Sequence, residues 1–159
     1  MPKRLLPAIL LSGLIVGTAD ILAAFISAYI KSNTKPDAVL KFVASGVFGR
    51  KAFGGGTSMA AAGLLFHYMI ALTFTVIFFM LCSKIKLISQ YKILSGVVYG
   101  LLVWFIMNRI VLPLSNTPSI PFKLTNVMIS AGILIIAIGL PLAYLATKYY
   151  SQRSVAFTE

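Results

Sequence analysis

The segment SMAAAGLLFHYMIALTFTVIFFMLC, residues Ser58–Cys82, decides the fold of this chain. It contains no Asp, Glu, Lys or Arg, and Lys84 and Lys86 follow closely behind it. At 1.5 Å per residue, a helix over this segment would be about 37 Å long, whereas the hydrocarbon core of a bilayer is about 30 Å thick. The segment therefore predicts a helix that crosses a membrane.

Three further apolar runs of similar character lie along the chain. They cover about 5–30, 93–114 and 124–149, and a Lys or Arg directly precedes each one. The first resembles a signal peptide, but it is longer than the usual apolar region and no small-residue cleavage site follows it. We interpret it as a retained helix. The sequence thus predicts an all-α integral membrane protein with a single transmembrane domain, 1–159, in which four transmembrane helices form a compact bundle.

The composition of the chain supports this interpretation. Only 11% of its 159 residues are charged, against about 25% in a typical soluble domain, so charged side chains cannot coat its surface. The net charge is +11, but the basic residues lie at the ends of apolar runs rather than in one patch. That placement favours a lipid bilayer with anionic headgroups as the partner, and it argues against nucleic acid.

The connection between the first two apolar runs predicts a short helix over about 36–49. Thr34–Asp37 resembles a capping box with Pro36 in the first helical turn. Helical residues up to Gly49 would extend about 18 Å, which is too short to cross a bilayer. We expect an interfacial helix, or a re-entrant helix that dips into the membrane and returns.

Glycines spaced one turn apart mark the expected helix contacts. Gly13 and Gly17 in the first run, like Gly96 and Gly100 in the third, would let another helix approach closely. The segments around them are alike, 11–17 resembling 94–100, and 62–65 resembles 131–134. Either an internal duplication into two parallel hairpins or chance recurrence of Gly-rich apolar sequence accounts for this likeness.

Ionisable residues inside the apolar runs are the main candidate site. Asp20, His67 and Arg109, with Asn108 beside the last, lie about 22–24 Å from the membrane face at which the first and third helices begin. Charged groups in hydrocarbon usually face the interior of a bundle. We therefore expect a buried polar layer, with an Asp20–Arg109 ion pair and with His67 and Asn108 as hydrogen-bond partners.

Three interpretations of this polar layer stay open. The layer could hold the helices in register as a purely structural feature. It could serve as a functional centre for protons, ions or a substrate, since histidine readily exchanges protons near neutral pH. In the third interpretation the residues do not meet, and Asp20 and Arg109 each reach towards water at an interface.

A Gly-rich turn before the second run is the other candidate site. Its residues are Arg50, Lys51, Gly54, Gly55 and Gly56. Backbone N–H groups at a helix start, together with nearby basic side chains, can hold an anion such as a lipid phosphate. The alternative is a flexible linker, with Thr57 or Ser58 as the N-cap of the second helix.

Other classes of site are not supported by the sequence. The chain has one His and one Cys, and it has no paired carboxylates within the apolar runs, so we predict no enzyme activity, no metal site and no cofactor. An even number of spans places both termini on the same side. Seven basic residues on that side against six on the other favour cytoplasmic termini.

Several short motifs resemble those of small bacterial inner-membrane proteins, and the general layout is similar to that of the YagU-like family. They are Gly-Thr-Ala-Asp at 17–20, Val-Leu-Lys-Phe-Val-Ala-Ser-Gly-Val-Phe-Gly at 39–49, Tyr-Gly at 99–100 and Gly-Leu-Pro at 139–141. The resemblance covers Gly13 to about Leu142. It implies a four-helix protein of the bacterial inner (plasma) membrane, and it implies no activity or site residue.

Two functional hypotheses result from these observations. In the first, the chain is a small channel, transporter or proton-handling protein built around the polar layer. In the second, it is a non-transporting accessory or assembly subunit of a membrane complex, and the polar layer is purely structural. The second hypothesis implies a membrane-protein partner, and a homo-oligomer fits either hypothesis.

Overall fold

A computed structural model describes residues 5–118 and 124–155, with side chains up to residue 151. Within these ranges the chain is helical and contains no strand. Four helices in this part of the chain are long and apolar enough to cross a membrane. They are α1 (Leu5–Ser32), α3 (Gly56–Lys84), α5 (Lys92–Leu114) and α6 (Leu124–Ser151), and the short helices α2 (Pro36–Phe48) and α4 (Lys86–Gln90) lie between them.

The ends of the long helices agree with the apolar runs to within two residues. The short helix α2 also lies where the sequence predicts one, over Pro36–Phe48. Helix α4 was not expected, because its five residues are too few to show a helical period. It makes the connection between α3 and α5 a helical turn rather than an open loop.

The last long helix, α6, holds the bundle together, because it packs against α1, α3 and α5. Its contacts enclose an apolar core with phenylalanine at its centre. Fully buried side chains in this core are Val16, Phe78, Phe79, Val103 and Leu142. Tyr99 on α5 also reaches α3, where its hydroxyl donates a 2.5 Å hydrogen bond to the carbonyl oxygen of Phe74.

Helices α1 and α3 meet at the predicted glycine pair. A Cβ on Gly17 would lie 3.0 Å from the Tyr68 ring and 3.1 Å from the Cβ of Ala71, and a Cβ on Gly13 would overlap Leu72. The absence of these two side chains brings the helix backbones close together. The prediction that Gly13 and Gly17 form a helix contact is confirmed, with α3 as the partner.

The second glycine pair makes an even closer contact between α5 and α6. A Cβ on Gly96 would lie 2.9 Å from the carbonyl oxygen of Gly139, and one on Gly100 would lie 2.6 Å from the Cα of Ile135. Thus α1–α3 and α5–α6 are two hairpins that pack at glycines in matching sequence positions. The internal duplication itself stays a prediction.

Helices α5 and α6 each contain one π-helical turn, over Met107–Val111 and Ile135–Gly139. Each turn ends two residues before a proline, Pro113 or Pro141. A proline in a helix lacks the N–H donor and its ring collides with the carbonyl four residues earlier, so a wider turn relieves both problems. The sequence predicts a kink at Pro141, and the structure places this register change directly before it.

Helix α2 packs across the first half of α3. Gly63 on α3 lies against the backbone of α2, where its Cβ would overlap the carbonyl oxygen of Leu40 and lie 3.2 Å from the backbone nitrogen of Ala44. The loop after α5 fixes the other end of α2, because the backbone N–H of Asn116 donates to the carbonyl oxygen of Gly46 at 3.0 Å. Two elements therefore hold α2 in place.

The predicted capping box at the start of α2 is wrong. The N-cap residue is Lys35, and no side chain caps the helix, although Pro36 does lie in the first turn. Asp37 forms a 2.7 Å ion pair with Lys41 one turn later. Because the Asp37 carboxylate has this cation within reach, it does not turn back to the N-cap backbone.

Candidate functional site

The close contact of α1 and α3 brings Asp20 and His67 together. His67 donates a 2.8 Å hydrogen bond from Nε2 to the carbonyl oxygen of Gly17. A carbonyl oxygen only accepts hydrogen bonds, so the proton lies on Nε2, and Nδ1 of a neutral ring is an acceptor. Asp20 follows Gly17 by almost one turn, and its carboxylate lies within range of electrostatic interaction with His67. Both side chains are half-buried.

A second polar pair lies beside the first. The hydroxyls of Thr18 and Tyr68 share a 2.8 Å hydrogen bond between the same two helices. The rings of His67 and Tyr68 meet edge to face, with their centroids 5.6 Å apart. We call the set Gly17, Thr18, Asp20, His67 and Tyr68 the α1–α3 polar contact. Thr18 is exposed, so this contact reaches the outer surface of the bundle.

Sequence reasoning missed Thr18, Tyr68 and the Gly17 carbonyl. A signal was present, because Tyr68 is the neighbour of His67 in the chain and Thr18 lies two residues before Asp20. Uncharged hydroxyls are common in membrane helices, however, and the sequence does not say which ones face each other.

We expect the Thr18–Tyr68 hydrogen bond to make a small contribution to stability. Tyr68→Phe should lower the free energy of unfolding in detergent by about 0.6 kcal/mol, the average for hydrogen bonds between membrane helices. Thr18→Val should have a similar effect, and the double variant should lose little more than either single variant. A double-mutant cycle on unfolding in mixed micelles measures this coupling. Thr73→Val is the control, because the Thr73 hydroxyl bonds to Met69 within its own helix.

The other predicted residues of the polar layer lie on α5, away from this contact. Asn108 donates a 2.9 Å hydrogen bond from Nδ2 to the carbonyl oxygen of Trp104, one turn earlier in the same helix. The Trp104 indole donates a 2.8 Å hydrogen bond from Nε1 to the hydroxyl of Ser130 on α6. These three residues form a separate polar contact between α5 and α6.

Arg109 differs most from expectation, because its side chain is exposed rather than buried. It lies in the π turn of α5, about 100° around the helix from Asn108, which is half-buried. Within the described ranges no ion pair joins Asp20 to Arg109, so that pair of the hypothesis is not formed.

The common depth of the polar residues is nevertheless consistent with the packing. The rings of Phe78 and Tyr99 are in contact, with centroids 4.6 Å apart. Measured from that contact, Arg109 lies about 15 Å towards the C-terminal end of α5, and His67 lies about 16 Å towards the N-terminal end of α3. Because the two helices run in opposite directions, both residues lie on the same side of the contact. The predicted layer therefore lies at one level, and it is divided into an α1–α3 cluster and an α5–α6 cluster.

The Gly-rich turn folds as a 3₁₀ helix over Gly49–Gly54 and connects α2 to α3. Gly49 and Gly56 have φ values of 61° and 64°, a backbone conformation that favours glycine. The N-cap of α3 is Gly55, and Ser58 donates its hydroxyl to the Gly55 carbonyl oxygen at 2.8 Å. The prediction of Thr57 or Ser58 as N-cap is therefore wrong, because the helix begins earlier. Arg50 and Lys51 are exposed beside this turn, and anion binding there stays a prediction.

Comparisons of this chain with protein-family models, with curated proteins and with solved structures found no match. The resemblance to the YagU-like family therefore stays a prediction, and the α1–α3 polar contact is the feature on which a functional proposal can be built.

Proposed function

We propose that this chain is an integral membrane protein that moves protons through the α1–α3 polar contact. The observation that carries the proposal is that Asp20 and His67, on two long apolar helices, lie within range of electrostatic interaction. An ionisable group at such a depth is costly unless it has a partner, and such groups commonly belong to proton or ion pathways. A half-buried carboxylate beside an imidazole provides both an acceptor and a donor of protons.

The distribution of basic and aromatic residues supports the membrane location. Lys84 and Lys148 lie near the ends of α3 and α6, where Tyr149 and Tyr150 pack against Phe79. Basic and aromatic side chains typically mark the membrane–water interface. We place α2 at the opposite interface, the termini on the cytoplasmic side, and the protein in a bacterial inner membrane.

The proposed proton path begins with the orientation of the His67 ring. Its Nε2–H is held by the Gly17 carbonyl, so Nδ1 is the nitrogen that takes up a proton. The Asp20 carboxylate is the group that then accepts the proton from His67. The Thr18 and Tyr68 hydroxyls both donate and accept hydrogen bonds, and they extend the polar contact to the bundle surface.

Proton flux into liposomes tests this proposal. The purified chain is reconstituted with a pH-sensitive dye inside, and a potassium diffusion potential drives uptake. We expect Asp20→Asn and His67→Gln to reduce the flux to that of protein-free liposomes, because each removes one exchangeable proton site. Asp20→Glu should keep part of the flux.

Asp37→Asn is the matched control, because Asp37 lies in α2 and pairs with Lys41 away from the α1–α3 polar contact. It should leave the flux unchanged. If the Asp20 and His67 variants insert and unfold like the original chain but conduct protons equally well, the pair is structural and the proposal is wrong.

A second function, that of a non-transporting accessory or assembly subunit, is favoured by one observation. Thr18 is exposed and Asp20 is half-buried in the α1–α3 polar contact. A polar surface at that depth would be covered by another membrane helix, from a partner protein or a second copy. Purification in mild detergent followed by mass spectrometry should then show a stable partner that Asp20→Asn weakens. A chain that stays monomeric and alone would contradict this alternative.

A further inference from the structure

A cavity of about 300 Å³ lies between α3, α4 and α5, at the end of the bundle opposite to α2. Phe78 and Leu81 line it from α3, Leu87 from α4, and Val98 and Leu102 from α5. Ser95 and Tyr99 also line it, and the Tyr99 hydroxyl is hydrogen-bonded to the Phe74 carbonyl. The cavity therefore offers almost only carbon surface, and its occupant must be largely apolar.

The residues next to this cavity's lining in the sequence are strongly basic. Lys84 ends α3, Lys86 begins α4 and Lys92 begins α5, and all three are exposed. The chain has no acidic residue between Asp37 and Glu159, so no nearby carboxylate in the sequence neutralises these lysines. A ligand that matches both features has an apolar tail and an anionic head.

We propose that this cavity binds one acyl chain of an anionic phospholipid, and that Lys84, Lys86 and Lys92 hold its phosphate. This proposal rests on the membrane location proposed above. Tyr91, at the turn between α4 and α5, lines the cavity and is exposed at its edge. Tyrosine at such a position lies at the level of lipid headgroups, as the site requires. An apolar protein segment would leave the three lysines without an anionic partner, whereas an anionic lipid contacts both the apolar cavity and the lysines.

Native mass spectrometry of the purified chain tests the site. The chain is mixed with equal amounts of phosphatidylglycerol and phosphatidylcholine that carry the same acyl chains. We expect one bound phosphatidylglycerol, retained at least about fivefold better than phosphatidylcholine, since one basic residue near an anionic surface already contributes about that factor. Glycerol 3-phosphate, a head without a tail, should not compete.

Two sets of variants separate the tail from the head. Val98→Trp fills the cavity and should reduce retention of both lipids about tenfold. Val98 is 55% exposed, so its helix tolerates a larger side chain. Leu101→Trp is the matched control on the same helix, outside the cavity lining, and it should retain lipid normally. The combined Lys84→Gln, Lys86→Gln and Lys92→Gln variant should bind both lipids equally.

The combined Lys31→Gln and Lys35→Gln variant is the control for the lysines, because it removes positive charge at the other end of the bundle. Equal loss of preference in both lysine variants would show a non-specific charge effect and overturn the site. Competition by glycerol 3-phosphate would show a site for free phosphate, which also overturns it. A chain that does not float with liposomes contradicts the membrane location itself, whereas one that floats but shows no preference contradicts only the lipid site.

Discussion

Gly139→Ala is expected to separate α5 from α6 and to cause a large loss of stability. The new Cβ would overlap the carbonyl oxygen of Gly96 and lie 3.0 Å from the backbone nitrogen of Gly100. Backbone atoms cannot turn aside as a flexible side chain can, so the whole helix must move. Overpacking of this kind costs about 3 kcal/mol at the upper end of its usual range. The midpoint of unfolding in mixed micelles should fall accordingly.

Gly132→Ala is the matched control, because Gly132 lies two turns earlier on the same helix. A Cβ there would meet nothing within 4 Å. Alanine is a better helix former than glycine by about 1 kcal/mol, so this variant should be neutral or more stable. If the two variants unfold at the same midpoint, the close contact of α5 and α6 at Gly139 is not an important source of stability.

Gly63→Ala is expected to release α2 from α3 while the long helices stay assembled. The added methyl group would overlap the carbonyl of Leu40 in the middle of α2. We propose to measure the release through a buried position on α2, Ser45, which is 0% exposed. In a Cys82→Ser background, Ser45→Cys should react slowly with a water-soluble thiol reagent. Adding Gly63→Ala should raise its rate at least about tenfold, which corresponds to about 1.4 kcal/mol of local opening.

Gly46→Ala is the control for this experiment, since it changes a glycine of α2 itself. Its Cβ would lie 3.7 Å from the Cβ of Ser115, an ordinary contact distance, so the labelling rate should not change. An unchanged rate in the Gly63 variant would mean that α2 does not depend on its close contact with Gly63 for its position.

The positions of the long helices could be predicted from sequence because apolar length is a local property. Each run, such as Ser58–Cys82, is measured against bilayer thickness without knowing any neighbour. The small residues also indicated which face of α1 packs against another helix, since Gly13 and Gly17 lie against α3. Depth along a helix follows in the same way, because the rise per residue is constant.

The partners of the polar residues could not be predicted in the same way. Depth placed Asp20, His67 and Arg109 at one level, but contact also requires that their helices be neighbours and face each other. Helix α1 packs chiefly on α3 and α6, whereas α5 packs chiefly on α6. The predicted partner of Arg109, Asp20, therefore lies on a helix that makes few contacts with α5. No periodicity in the sequence shows which helices are neighbours.

The two π turns were missed for another reason. Pro113 and Pro141 were visible in the sequence, but a proline can end a helix, bend it or shift its register, and the choice depends on packing. In α6 the widened turn contains Ile135 and Gly139, the residues that receive Gly100 and Gly96 of α5. The register change is thus part of the helix contact.

The order in which the chain is synthesised gives the position of α6 a consequence for biogenesis. Helices α1 and α3 emerge before α5 and α6 and already contain their own glycine contact and polar contact, so this hairpin can associate during translation. Helix α5 cannot complete its packing until α6 has been made, because the surface formed by Gly96 and Gly100 packs mainly against α6. Lipid or an insertion factor must cover that surface in the interval. Assembly of the four long helices is therefore completed by α6, and the bundle stays open until that helix has been made.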